Sequence, residues 1–169
     1  LFQPCTQKNK LNISSMSFVN GNINSTFLFQ HGWGFDRTCW DTMVLPGKGI
    51  HPIFLDRGYF GWPLQGKKVP AGGIEVLVCH SLGLHLIDEA LFAKCQLLVL
   101  IGCFHAFHGK TEEEGRFTRK HVPKMIHELD ETPRILLKKF HTGCGSLFAL
   151  PGEKRINKNL LIDDLHFLD

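Results

Sequence analysis

A serine that follows a β-favouring apolar run and precedes a glycine by two positions is the pattern in this chain best suited to covalent chemistry. It lies at 79–83, Cys-His-Ser-Leu-Gly, with Ile74, Val76, Leu77 and Val78 leading into it. A helix-like run over 84–91 follows with no loop residues between, so the spacing predicts a sharp strand-to-helix turn. Such a turn strains the serine backbone and lifts its hydroxyl clear of both elements, the geometry of a nucleophile elbow. The residues two before and two after must be small because they face each other across the turn; here they are Cys79 and Gly83. Ser81 is thus the candidate nucleophile, and the alternative is a plain strand-glycine-helix junction with an incidental serine.

His31-Gly32-Trp33-Gly34-Phe35, followed by Trp40, forms a second candidate stretch directly after the apolar run at 26–30. Glycines immediately after a buried strand let the backbone approach another group, and an exposed amide there can face a developing oxyanion. The alternative is a glycine-rich loop whose aromatics fill a core edge. His105, His108, His121 and Cys103 are zinc-ligand types, but their spacing matches no ligand set, and no metal site or cofactor is expected. Arg116, Arg119, Lys120 and Lys124 follow three glutamates at 112–114, the ordinary order for a solvated helix face. Over 132–158 there are six Lys/Arg against one Glu, and Arg134 and Lys138 are four apart, on one helical face.

The elements that must position these residues read as strands at 26–30, 50–55, 74–79 and 96–102, with the crossover helix spanning 87–94. Asn20-Gly21-Asn22 is a hairpin signal between 17–19 and 26–30. Strands and loops at this spacing imply an α/β fold with a mostly parallel sheet. Helices are expected at 112–129, at 133–140 with Thr132 as its cap, and at 157–168. Residues 1–15 read as a disordered extension, 16–103 as the core, 104–165 as a helical lid over the strand ends, and 166–169 as a return towards the core. If those helices instead flank the sheet, further strands beyond Asp169 are required.

Composition sets the bounds. The chain has 169 residues, 43% of them hydrophobic, enough for one real core, and a net charge of +3 that does not by itself imply nucleic acid. Six scattered cysteines without a CxxC, several inside apolar runs, favour a reducing compartment, hence the cytoplasm. No apolar run nears the roughly 20 residues that span a bilayer. No signal peptide is expected, because 1–15 lack an apolar centre.

HGWGFDRTCW after one strand, LDRGYFG after the next, VCHSLGL at the turn and LLVLIGCF after it resemble the α/β-hydrolases. HGWG with a tryptophan further on, and the closing LLIDDLHFLD, are similar to the pimeloyl-acyl carrier protein methyl ester esterases of the biotin pathway. The resemblance spans about 17–169. It implies a serine carboxylesterase with Ser81 as the acylated nucleophile and the amides of Trp33 and Leu82 as the oxyanion hole; a monomer is expected. It also implies that His31 and Gly32 shape the loop, and that the Trp33 ring lines an acyl pocket. Arg134 and Lys138, with Lys139 as the alternative to Lys138, would face an acidic acyl carrier protein.

Cys79 and Leu84 depart from the family, which has glycine at both positions. The family order is serine, acid, histidine, so the acid and base are expected beyond Asp169. The chain by itself is then expected to turn over little ester. A general short-chain esterase or thioesterase, and a non-catalytic binding protein of the same fold, are the competing functions.

Overall fold

Consecutive β-branched and aromatic residues form strands wherever both faces are to be covered, and parallel sheets need that coverage. In the computed structural model, which describes residues 25–45, 49–61, 73–146 and 148–168, four such runs pair. They are β1 (Ser25–Gln30), β2 (Ile50–Leu55), β3 (Ile74–His80) and β4 (Cys95–Ile101), all parallel, in the order β2-β1-β3-β4. Leu28 lies opposite Ile53 on one side and Leu77 on the other. The central strands β1 and β3 are buried almost throughout, whereas β4 alternates between half-buried and exposed residues. Pro52, which has no N–H to give, falls in the edge strand β2, where a missing ladder bond is tolerated.

The sheet has an apolar cluster on each face. Leu28, Leu55, Leu77, Cys79 and Ile87 form one; Phe27, Phe29, Val76, Val78 and Trp40 form the other. The expected hairpin at 17–22 and the extension at 1–15 lie outside the described residues.

The crossover after β3 differs from expectation. Instead of one helix from 84 onwards, a 3-10 helix covers Ser81–Leu86, Ile87 is extended, and the four-residue α1 (Glu89–Phe92) follows. Two local facts break the helix. Ile87 is drawn into the apolar cluster on the sheet, and the Asp88 carboxylate accepts from the Ala90 amide at 2.8 Å, which favours a new helix start over a continuing one.

Three longer helices follow: α2 (Glu112–Glu131), α3 (Pro133–Gly143) and α4 (Lys158–His166). A reciprocal Thr111–Glu114 box caps α2, with Glu112, Glu113 and Glu114 on its positive end. Thr132 stands before α3, but its hydroxyl reaches back to the Glu128 carbonyl at 3.4 Å, so it closes α2 rather than capping α3 by side chain. Asn157 caps α4 through the Leu160 amide. None of the described helices is long and apolar enough to cross a membrane.

These helices pack on residues that lie just past the strand ends. Trp33, Tyr59, Phe60 and Leu82 form one cluster with Val122, Leu129, Leu136, Leu137, Leu161 and Leu165. Polar bonds fix the register. The Arg57 guanidinium grips Asp164 with two bonds of 2.9 and 2.7 Å, and the Tyr59 hydroxyl donates to the same carboxylate at 2.5 Å. The Asn157 amide donates to the Tyr59 carbonyl, and the Trp33 indole to the Leu161 carbonyl.

Asp164 is 4% exposed, so removing it strands a guanidinium and a phenol. Asp164→Ala should cost about 3–5 kcal/mol in urea unfolding. Tyr59→Phe, which leaves the Arg57 fork intact, should cost less, about 1.5–3 kcal/mol for one bond to a charged group. Equal, small losses would mean the network does not hold the helices.

Candidate functional site

Connections that leave neighbouring parallel strands in opposite directions open a crevice at the carboxyl ends of those strands. In the order β2-β1-β3-β4, the chain leaves β1 towards β2 and leaves β3 towards β4, so that crevice lies between the ends of β1 and β3. His31 to Phe35 follow β1, and Ser81 follows β3. Both candidate stretches therefore meet at one place.

Ser81 has φ 52, the one positive value at a non-glycine residue among the described residues, directly after an extended His80 and at the first position of the 3-10 helix. A left-handed serine costs about 1–3 kcal/mol unless its surroundings enforce it. Close packing does so here. A Cβ on Gly32 would stand 2.8 Å from the Ser81 Cβ and 2.9 Å from the His80 carbonyl oxygen. A Cβ on Gly83 would stand 2.7 Å from the Gln30 carbonyl oxygen and 2.8 Å from that of His31. Gly83 is thus required by the end of β1, which corrects the expectation that it faces Cys79 across the turn. Cys79 is buried, and its carbonyl accepts from the Cys103 thiol at 3.2 Å. Burial pushes the Cys79 thiol up to about 12, with Cys103 and Cys95 adding to the shift, so it is an inert thiol.

The loop after β1 is held from several sides. His31 is fully buried; its Nε2 accepts from the Arg57 amide at 3.0 Å, which leaves the Nδ1–H to donate to the Gly32 carbonyl at 2.9 Å. With Nε2 an acceptor, the Asp56 carboxylate 3.6 Å away is a neighbour and not an ion-pair partner. Trp33 is 5% exposed, its ring edge-on to Phe140 at 4.9 Å. That ring is part of the core between loop and helices, so lining an acyl pocket would require the packing to open. Leu82 is buried, and its amide lies in the first turn of the 3-10 helix, where no intrahelical acceptor exists.

The histidine rings near the crevice are engaged elsewhere. His80 packs edge-on to Phe35 and Trp40. His85 bonds the Phe104 carbonyl and His141 the Gly34 carbonyl, at 2.8 and 2.6 Å. Arg134 and Lys138 lie on the exposed side of α3, whose other side carries Leu137, Phe140 and His141 towards the loop. Arg134 donates to the Pro151 carbonyl, and Lys139 lies 3.7 Å from Glu128. No group of three or more metal-ligating side chains occurs among the described residues; His108 bonds Thr118, and Cys103 lies under the turn. Sequence reasoning missed His141 and the Arg57–Tyr59–Asp164 network, and it weighed Cys103 only as a zinc-ligand type. For Asp164 alone there was a signal, an acid inside the apolar run LLIDDL.

Compared with protein-family models and with curated proteins, the sequence matches none.

Burial lowers the pKa of both His80 and His141; at His141 the Gly34 bond and Asp36 oppose the shift without cancelling it. A histidine whose folded pKa is depressed binds its proton more readily when unfolded. Its neutral form therefore stabilises the fold above about pH 6.5, and that contribution is lost as pH falls through the folded value. The urea midpoint should drop from pH 7 to 5, and His80→Phe should reduce that drop. A flat profile in the wild-type protein would contradict the assigned burial.

Proposed function

We propose that this protein is a serine carboxylesterase of the α/β-hydrolase type, with α2–α4 serving as a lid over the carboxyl ends of the strands. One observation carries the reading: a left-handed Ser81 at the end of a central parallel strand, pressed against Gly32 of the neighbouring strand's loop. A strained serine at a strand-to-helix turn, facing a glycine loop, is the arrangement that acyl transfer uses. Ser81 Oγ attacks the ester carbonyl and loses its proton to a base, while the amides of Trp33 and Leu82 hold the oxyanion. The C–O bond to the alcohol then breaks, the alcohol leaves with the proton, and water releases the acid from Ser81. Because Trp33 and Leu82 lie beneath α3 and α4, substrate entry requires those helices to shift. The five described cysteines are all free thiols, which supports a cytoplasmic setting.

A second reading, a non-catalytic binding protein of the same fold, is favoured by one fact. His31, His85 and His141 are committed to Gly32, Arg57, Phe104 and Gly34, and His80 packs on Phe35 and Trp40, so none is bonded to Ser81. One experiment separates the two. Oxyanion donors and binding alone leave about 10³-fold acceleration over water when a triad member is missing, and an activated leaving group asks less of the base. An activated phenyl ester should therefore acylate Ser81 slowly but selectively, as read by mass spectrometry. Ser81→Ala should abolish this, and Gly32→Ala should suppress it by driving the loop from the serine. Indifference to Ser81→Ala would leave the binding protein.

The narrower substrate, a methyl ester of a pimeloyl-type chain on an acyl carrier protein, rests on the sequence resemblance and on the exposed cations of α3. Arg134→Glu with Lys138→Glu should weaken binding of an acidic carrier about tenfold at low salt and flatten its salt dependence. Unchanged binding would return these residues to a solvated face.

A further inference from the structure

We propose that His141 is a positioning residue that sets the candidate oxyanion loop from α3, an inference that rests on the esterase reading for its chemical meaning. The loop is a tight turn in which the Phe35 amide donates to the Gly32 carbonyl at 3.4 Å and Gly34 takes φ 71. A positive φ at the third position marks a type II turn. The Gly32 carbonyl also accepts from the His31 Nδ1–H. At Gly34, the carbonyl accepts from His141 Nε2–H at 2.6 Å. None of these bonds uses the Trp33 N–H, so fixing the two carbonyls orients that amide without consuming it.

The contact from α3 is more than one bond. The His141 ring stacks on Phe35 with centroids 4.8 Å apart and 24° between planes. Phe140 meets Trp33 edge-on, and a Cβ on Gly34 would stand 3.2 Å from its ring. His141 is 3% exposed, and its Nδ1 is buried without a partner. A neutral imidazole carries one N–H, and here it is spent on Gly34. A phenylalanine would fill this apolar site without the unpartnered Nδ1, so packing alone does not call for a histidine. The N–H directed at Gly34 does. Through it, the placement of α3 is transmitted to the loop that faces Ser81.

Two substitutions separate the bond from the packing. His141→Phe keeps a stacked ring and loses the donor, while His141→Gln keeps a terminal N–H at similar reach. The expected result is at least tenfold faster hydrogen exchange at the Phe35 amide in His141→Phe. Acylation of Ser81 by the activated phenyl ester should also slow about tenfold at unchanged half-saturating ester, and His141→Gln should restore both. Unchanged exchange in His141→Phe, or a His141→Gln variant as impaired as His141→Phe, overturns the proposal. Should His141→Phe not fold, ¹⁵N shifts of the wild-type imidazole decide: an Nε2–H tautomer supports the bond, and an Nδ1–H tautomer excludes it. If wild-type Ser81 does not react at all, the esterase reading falls, and amide exchange alone decides whether His141 fixes the turn.

Discussion

The Asp164 carboxylate is the point on which the two layers of the molecule depend. It is buried on α4, yet its partners Arg57 and Tyr59 belong to the loop after β2. A carboxylate taken out of water is tolerated only when its oxygens are bonded, so α4 has one acceptable position on the strand ends. The effect is reciprocal. The bond to Asp164 raises the Arg57 pKa, and burial followed by the same carboxylate raises that of Tyr59. Such a pair adds less to net stability than its distances suggest, because desolvation offsets the attraction. Its consequence is specificity of docking. Leucines alone would let the helix slide, whereas a fork and a phenol do not.

With α4 fixed, the rest of the site follows by contact. The Leu161 carbonyl receives the Trp33 indole, Phe140 closes on Trp33, and His141 takes the Gly34 carbonyl. On the other side, His31 bonds both its own loop and the Arg57 backbone, the residue whose side chain holds Asp164. The loop after β1 is thus clamped between two systems that share Arg57. Ser81 keeps its left-handed backbone because the two glycines let this clamped loop press against the turn. Backbone strain persists only where its neighbours over-determine it, and here the close approaches at Gly32 and Gly83 do so.

Local pattern was legible where one element decides the outcome. The four strands could be read from 26–30, 50–55, 74–79 and 96–102 because continuous apolar runs have few other uses, and the parallel sheet followed from their spacing. The α2 start was marked by its glutamates and the α3 start by Pro133. Where two elements compete, the reading fell short. Thr132 is the N-cap of α3 as read, and its carbonyl accepts from the Ile135 and Leu136 amides, but its hydroxyl is drawn to the end of α2. The run at 84–91 has helical letters, but Ile87 is claimed by the sheet and Asp88 restarts the helix.

By itself, then, the sequence determined an α/β chain with a parallel sheet, a serine at a strand-to-helix turn, and a glycine loop after a neighbouring strand. Those follow from periodicity and from residue size, which act over a few positions. Strand order was beyond it, and strand order is what places the ends of β1 and β3 side by side at the crevice. The need for glycine at 83 was readable, but not its reason, because the atoms a Cβ would strike belong to Gln30 and His31. His141 and Asp164 meet partners 107, 105 and 107 residues away, at Gly34, Tyr59 and Arg57. No local pattern encodes a bond across that distance; only packing the helical layer onto the strand ends brings donor and acceptor together.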